Sequence, residues 1–195
     1  MKDYEIPYIE KKMVSLIVVG YVGKEAEAIR STLEYFNYRV DTHWIGSKNE
    51  LKLIFSGGIK TNDILIICCH GSQDGFIIDG EPSFTVNEIN DVSKLLDKII
   101  LSNGCLTGRQ EISEAIIDCG ASAYIAPTDY IDGNTSLLFI NHLFYFLSKG
   151  DSLKEAYQKS HKFDQESSLF KMFDSNYANL SLSHNTTSVQ RSTDE

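Results

Sequence analysis

Apolar positions along the chain fall into two rhythms. Residues 13–21, MVSLIVVGY, are almost continuously apolar, the pattern of a strand covered on both faces. From about Lys24 to Phe36, Ala26, Ile29, Leu33 and Phe36 recur at helical spacing and predict an amphipathic helix. YRVDTHWI (38–45) alternates like a strand nearer a sheet edge, and a helix over 48–55 is stopped by Gly57-Gly58. DILIICCH (63–70) is the most apolar strand and belongs at the centre of a sheet. FIIDGEPSFTV (76–86) reads as a small hairpin turning at Asp79-Gly80, with Asn87 capping a helix that runs to about Leu96. KIILSNG (98–104) and ASAYIAP (121–127) are the fourth and fifth strands, separated by a helix over 110–118. Helices over 133–148 and 151–162 follow. The segment 163–180, with Leu169, Phe170, Met172 and Phe173, fits either a helix or a packed loop. Beyond Ser181 the chain is polar and aperiodic, so residues 1–180 are expected to form one domain and 181–195 a disordered tail.

This alternation of strand and helix predicts a three-layer α/β/α sandwich. Its sheet should be mostly parallel, with right-handed crossovers and strand order 2-1-3-4-5. A length of 195 residues with 42% hydrophobic residues supports one domain with a substantial core. The net charge of −9 argues against nucleic acid or an anionic membrane as partner. No stretch approaches the roughly 18 uninterrupted apolar residues of a membrane span. The opening MKDYEIPYIEKK is too polar for a secretory signal, so a cytoplasmic location with reduced thiols is expected.

The cysteines, Cys68, Cys69, Cys105 and Cys119, include no CxxC pair. Adjacent strand residues face opposite ways, so Cys68 and Cys69 are poorly placed to share an ion, and no metal or other cofactor is expected. In sheets of this kind sites gather beyond the carboxyl ends of the strands. The third strand ends at His70-Gly71 and the fourth, its expected neighbour, at SNGCLTG (102–108). Strands lie about 4.8 Å apart, so side chains from adjacent strand ends approach closely. A thiol and an imidazole at one sheet edge are the minimum parts of a cysteine nucleophile and its acid–base partner. Gly71, Gly104 and Gly108 let the backbone turn sharply, and the amides of Gly71 and Cys105 are candidate oxyanion donors.

An apolar strand ending in His-Gly, followed by one ending in a small residue and Cys, resembles the caspase-like (clan CD) cysteine peptidases. The match is nearest in character to the bacterial CHAT domains, relatives of separase and the gingipains. Their cysteine block, small-Cys-x-Thr/Ser-Gly, is matched by Gly104-Cys105-Leu106-Thr107-Gly108. The strand SAYIAPTD (122–129), the aromatic-rich helix LLFINHLFYFLSKG and DSLKEAYQKS look like the family's ending, so the resemblance covers roughly residues 13–162. It implies a catalytic His70, a nucleophilic Cys105 and a Gly71 amide in the oxyanion hole. The fifth strand ends Ala-Pro-Thr-Asp where many CHAT members carry a Trp, which implies a different substrate pocket. No helical-repeat region of the kind often attached to CHAT domains accompanies it.

Other residues have plainer readings. Cys68, Cys69 and Cys119 suit packing, and His43, His142, His161 and His184 have no matched thiol or carboxylate. Asp129 and Asp132 follow the fifth strand at the active end and are candidates to pair with a basic P1 side chain. Helix capping explains either equally well. Arg109, just past the nucleophile loop, keeps an acidic P1 open. The expected function is a cysteine endopeptidase acting on a protein or peptide through a Cys-His dyad. The family analogy adds a regulated bacterial defence or cell-death-like setting and a regulatory protein partner. Two rivals stand beside it. One is a non-catalytic caspase-like interaction module; the other is a flavodoxin- or receiver-like signalling domain, although GYVGKEAE after the first strand is not a phosphate-binding loop.

Overall fold

The computed structural model describes residues 11–92 and 94–174. The proposed tail at 181–195 and the domain limit at 180 lie outside the described residues. Parallel strands β1 (Met13–Val19), β2 (Arg39–Ile45) and β3 (Ile64–Cys68) build one side of the main sheet. They are separated by helices α1 (Gly23–Tyr35) and α2 (Lys48–Phe55). Three short strands follow, β4 (Gly71–Ser72), β5 (Gly75–Phe76) and β6 (Phe84–Thr85), and then α3 (Val86–Val92). β7 (Ile99–Ser102), α4 (Gln110–Asp118), β8 (Ala123–Pro127), α5 (Gly133–Ser148) and α6 (Leu153–His161) continue the alternation to β9 (Phe170–Asp174).

The main sheet runs β2-β1-β3-β7-β8-β9. Its first five strands are parallel and stand in the order expected from the sequence. β9 adds an antiparallel sixth strand to β8, in register from Ala123↔Asp174 to Pro127↔Phe170. The sequence left this segment as helix or loop because its aromatics are spaced by three. In the strand that odd spacing sends Phe170 and Phe173 to opposite faces, each into a different core.

Those two cores are the layers of the sandwich. Alternation along β1 gives Leu16 and Val18 to one face and Ile17 and Val19 to the other. The first face packs against Ile29 and Leu33 of α1 and Phe139, Ile140, Leu143 and Phe144 of α5. The second packs against Leu51, Ile54 and Phe55 of α2, Ile89 of α3 and Ile112 and Ile116 of α4. Each such side chain, fully removed from water, contributes about 1.5–3 kcal/mol before entropy is counted.

The hairpin expected over 76–86 forms, with Phe76 opposite Phe84, and Asp79-Gly80 turns the chain as expected, at the tip of a loop rather than directly between paired residues. That pair lies inside the longer connection 77–83, where Gly80 has φ +75° and the Glu81 amide donates to Ile78 O. A second hairpin, Gly71↔Phe76, completes a three-stranded miniature sheet. Phe76 and Phe84 fix this sheet to the body, with ring centroids 5.9 and 5.2 Å from Phe55. Helix α3 starts before Asn87 and ends at Val92, short of the expected Leu96. Its first turn is held by the Glu88 carboxylate, which accepts from Thr85 N at 2.9 Å and Thr85 Oγ1 at 3.2 Å, so Asn87 is not the cap.

Candidate active site

β3 and β7 are neighbours, paired from Ile64↔Ile99 to Ile67↔Ser102, so their carboxyl ends open side by side. Asn103 fastens the two exits together. Its amide donates to Ile67 O at 3.2 Å, and its buried side-chain oxygen accepts from Cys69 N at 2.9 Å. Past this clamp the two loops touch. A Cβ placed on Gly71 would lie 2.2 Å from Cys105 O, one on Gly104 would lie 2.8 Å from Cys69 Sγ, and one on Gly108 would lie 2.3 Å from Ala126 O. These three glycines are therefore required by close approach of backbone to backbone or core.

The loop that carries Cys105 is strapped from below. Ser102 and Thr107 share a hydroxyl hydrogen bond of 2.8 Å, and Thr107 Oγ1 donates to Gly104 O at 2.7 Å. Tyr124, fully buried in β8, donates its hydroxyl to Thr107 O at 2.9 Å. These bonds hold Leu106 at φ +64°, a left-handed conformation that costs a non-glycine residue on the order of 1–3 kcal/mol. The Leu106 amide donates to Asp129 O at 3.3 Å, and the Cys105 thiol donates to Ile131 O at 3.7 Å. The β8–α5 loop thus forms one wall around the thiol.

His70 is exposed at the end of the β3 exit, and its carbonyl accepts from Ile77 N at 3.0 Å. No hydrogen bond joins its ring to Cys105 among the described residues. The group that senses the ring electrostatically is Glu25, in the first turn of α1. Glu25 Oε1 accepts from Asn103 Nδ2 at 2.8 Å and from Ser136 Oγ at 3.0 Å. Burial pushes its carboxyl above the ordinary value, while the two hydrogen bonds and the nearby His70 charge pull the other way. Glu25 and Asn103 were not selected from the sequence. The signal was GYVGKEAE, a carboxylate two residues into the helix that follows the first strand.

Asp132 caps α5, accepting from Asn134 N at 2.7 Å, and its own amide donates to Glu166 Oε2 at 2.9 Å. Asp129 is exposed; among the described residues its carboxylate accepts from the adjacent Tyr130 N alone, at 2.8 Å, while its carbonyl holds the Cys105 loop. Cys68 and Cys69 lie in opposite cores, and burial pushes the Cys68 thiol up to about 12 and the Cys69 thiol higher still. Neither suits thiolate chemistry. His161 meets Phe170 O at 3.0 Å and His142 packs edge-on to Phe163, whereas His184 lies outside the described residues. Among the described residues no three His, Cys, Asp or Glu side chains gather as a metal site, and no helix is long and apolar enough to cross a membrane.

The fold is that of the caspase-like cysteine peptidases, a mostly parallel six-stranded sheet flanked by helices. Particular solved structures show this at low sequence identity. The Arg-specific cysteine proteinase gingipain R superposes with a TM-score of 0.57 at 12% identity, over 83% of this chain and 46% of its own. Separase of Saccharomyces cerevisiae, in its complex with securin, superposes with a TM-score of 0.56 at 13% identity, over 88% of this chain. The chain spans less than half of gingipain R and 13% of the separase chain. No protein-family profile matches the sequence, and no curated protein does.

Proposed function

We propose that the protein is a cysteine endopeptidase in which Cys105 is the nucleophile and His70 its acid–base partner. One observation carries this reading. Gly71 lies against Cys105 O, which brings the His70 and Cys105 loops into contact at the carboxyl edge of a caspase-like sheet. The Cys105 thiolate adds to the scissile carbonyl carbon, and the amides of Gly71 and Cys105 receive the oxyanion. The C–N bond then breaks as His70 gives its proton to the departing amine. Water, deprotonated by His70, attacks the acyl-enzyme and releases the carboxylate product with the free thiol. Glu25 acts as a positioning residue for His70, held by Asn103 and Ser136. No cofactor takes part.

Asp129 is the better candidate to read a basic P1 side chain, because its own carbonyl accepts from Leu106 N and so stands it beside the Cys105 loop, whereas Asp132 is engaged as the cap of α5. The resemblance of Gly104–Gly108 to the CHAT cysteine block supports a role in a bacterial defence or cell-death-like system, with a protein partner licensing cleavage of a protein substrate. The chain reads as a cytoplasmic protein with one peptidase domain.

Labelling with a peptidyl acyloxymethyl ketone, read by mass spectrometry, is expected to modify Cys105 well ahead of Cys119. Cys105→Ala is expected to abolish both labelling and turnover of a positional-scanning peptide library. A Cys105 no more reactive than Cys119, with cleavage unchanged in the variant, overturns the proposal. The rival reading, an interaction module without turnover, is favoured by one observation, the thiol's hydrogen bond to Ile131 O instead of to His70. The same labelling separates the two. Cleavage without any preference for basic P1 would remove the role given to Asp129 and Asp132.

A further inference from the structure

Beside the catalytic edge, the carboxyl ends of β1 and β2 enclose a groove of about 600 Å³. Tyr21 and Trp44 line it, 94% and 59% exposed, although large aromatics are ordinarily drawn inward. Ile78, Asp79 and Glu50 complete its walls. Asp79 stands over Gly20, where an added Cβ would come within 3.0 Å of its Oδ2. The Asp79 carboxylate has no hydrogen-bond or ion-pair partner among the described residues, and Glu50 keeps one oxygen after accepting from Gly46 N at 2.7 Å. Aromatic faces and unspent carboxylates in one groove suit a cation: the rings attract it through their negative faces and the carboxylates through charge.

The sheet order says which part of a substrate would reach the groove. This step rests on the endopeptidase reading above. If Cys105, after β7, attacks and His70, after β3, protonates the amine, the leaving half of the peptide departs on the β3 side. Continuing outward, it passes the ends of β1 and then β2. Strand spacing puts those ends about 10–14 Å from the β7 exit, and an extended chain advances about 3.3 Å per residue. We infer that the Tyr21–Trp44–Asp79 groove is a subsite for a lysine or arginine side chain on the leaving-group side, three or four residues beyond the cut. It is a recognition element separate from the P1 pocket, and it sits on the opposite side of the dyad from Asp129.

Trp44 is the single tryptophan of the chain, so its fluorescence reports the groove directly. The full chain carrying Cys105→Ala is titrated with acetyl-Gly-Arg-Gly-amide and with acetyl-Gly-Gln-Gly-amide. The expected result is a saturable change with the arginine peptide that is about tenfold weaker with glutamine, and weaker again with added salt. Asp79→Asn should weaken arginine binding about tenfold. Should that variant fail to fold, Tyr21→Ala, at a nearly fully exposed position, takes its place. No saturable change, or equal binding of the two peptides, overturns the inference. In the active protein, arginine scanned through a cleavable peptide should raise cleavage at the third or fourth position after the cut, an effect lost in Asp79→Asn with P1 preference unchanged. Efficient cleavage without that preference overturns the subsite and leaves the peptidase intact. Arginine binding without any cleavage overturns the peptidase and the leaving-side placement, and leaves a cation-binding groove.

Discussion

Glu25, the residue proposed to position His70, carries a cost to the fold. Its carboxylate is partly withdrawn from water, and burial raises its pKa above 4.5. A folded-state value above the unfolded one means the folded chain binds the extra proton, so stability is greatest in acid and falls as pH rises through the folded value. Both of its hydrogen-bond donors reach the same oxygen, Oε1, which a glutamine amide also supplies. Glu25→Gln is therefore expected to raise the melting temperature at neutral pH by roughly 2 °C, with the gain vanishing below about pH 4.5. The same change should lower kcat about tenfold with little effect on KM, because His70 loses its orienting charge. A purely structural residue would lose stability and activity together. Paired scanning calorimetry and kinetics distinguish the two.

Among the elements, the parallel strands and helices were legible because each repeats its period over several residues. Helices α2 and α4 occupy the predicted ranges 48–55 and 110–118. Two elements were not legible. β9 owes its identity to an edge of β8 that only the assembled sheet presents, and β4, the two-residue strand added beside the expected hairpin, is too short to carry a period. Phe170 measures what β9 contributes: it is buried and stacks on Phe139 with centroids 3.9 Å apart and planes 4° from parallel. Phe170→Ala is expected to cost about 3–5 kcal/mol in urea unfolding. The miniature sheet is joined to α2 through Glu88, which meets Lys48 Nζ at 3.0 Å and Lys52 Nζ at 3.5 Å. Desolvation opposes ionisation of Glu88, yet the Thr85 and Lys48 hydrogen bonds and the Lys48 charge bring its pKa down to about 2. A depressed carboxyl stabilises above its unfolded value and loses that contribution as pH falls through the folded one. Glu88→Gln should thus cost about 1–2 kcal/mol at pH 7, after solvent screening. In pH-dependent denaturation the difference should disappear between about pH 4.5 and 2.

At the scale of the whole molecule, strand order sets the His70 and Cys105 loops side by side, and that neighbourhood of loops was readable from the strand ends. The surrounding support was not. Glu25 and Ser136 are 111 positions apart in the chain, and Asn103 and Glu25 are 78 apart. No local pattern reports such encounters; they exist only once α1 and α5 share a face. Of the two aspartates after β8, Asp132 caps α5; a cap and a pocket wall demand the same residue type at the same place, so the sequence left both readings open.

The buried hydroxyl of Tyr124, reaching up to Thr107, carries a consequence for heat tolerance. Loops that bear reactive groups ordinarily sit at the low-stability end of a protein and loosen before the body melts. Here the loop is tethered to two neighbouring strands, β7 through Ser102 and β8 through Tyr124, so no cheap local opening releases it. Loss of thiol reactivity and loss of near-ultraviolet circular dichroism should therefore share one midpoint on heating. Tyr124→Phe should part them, with inactivation arriving several degrees earlier.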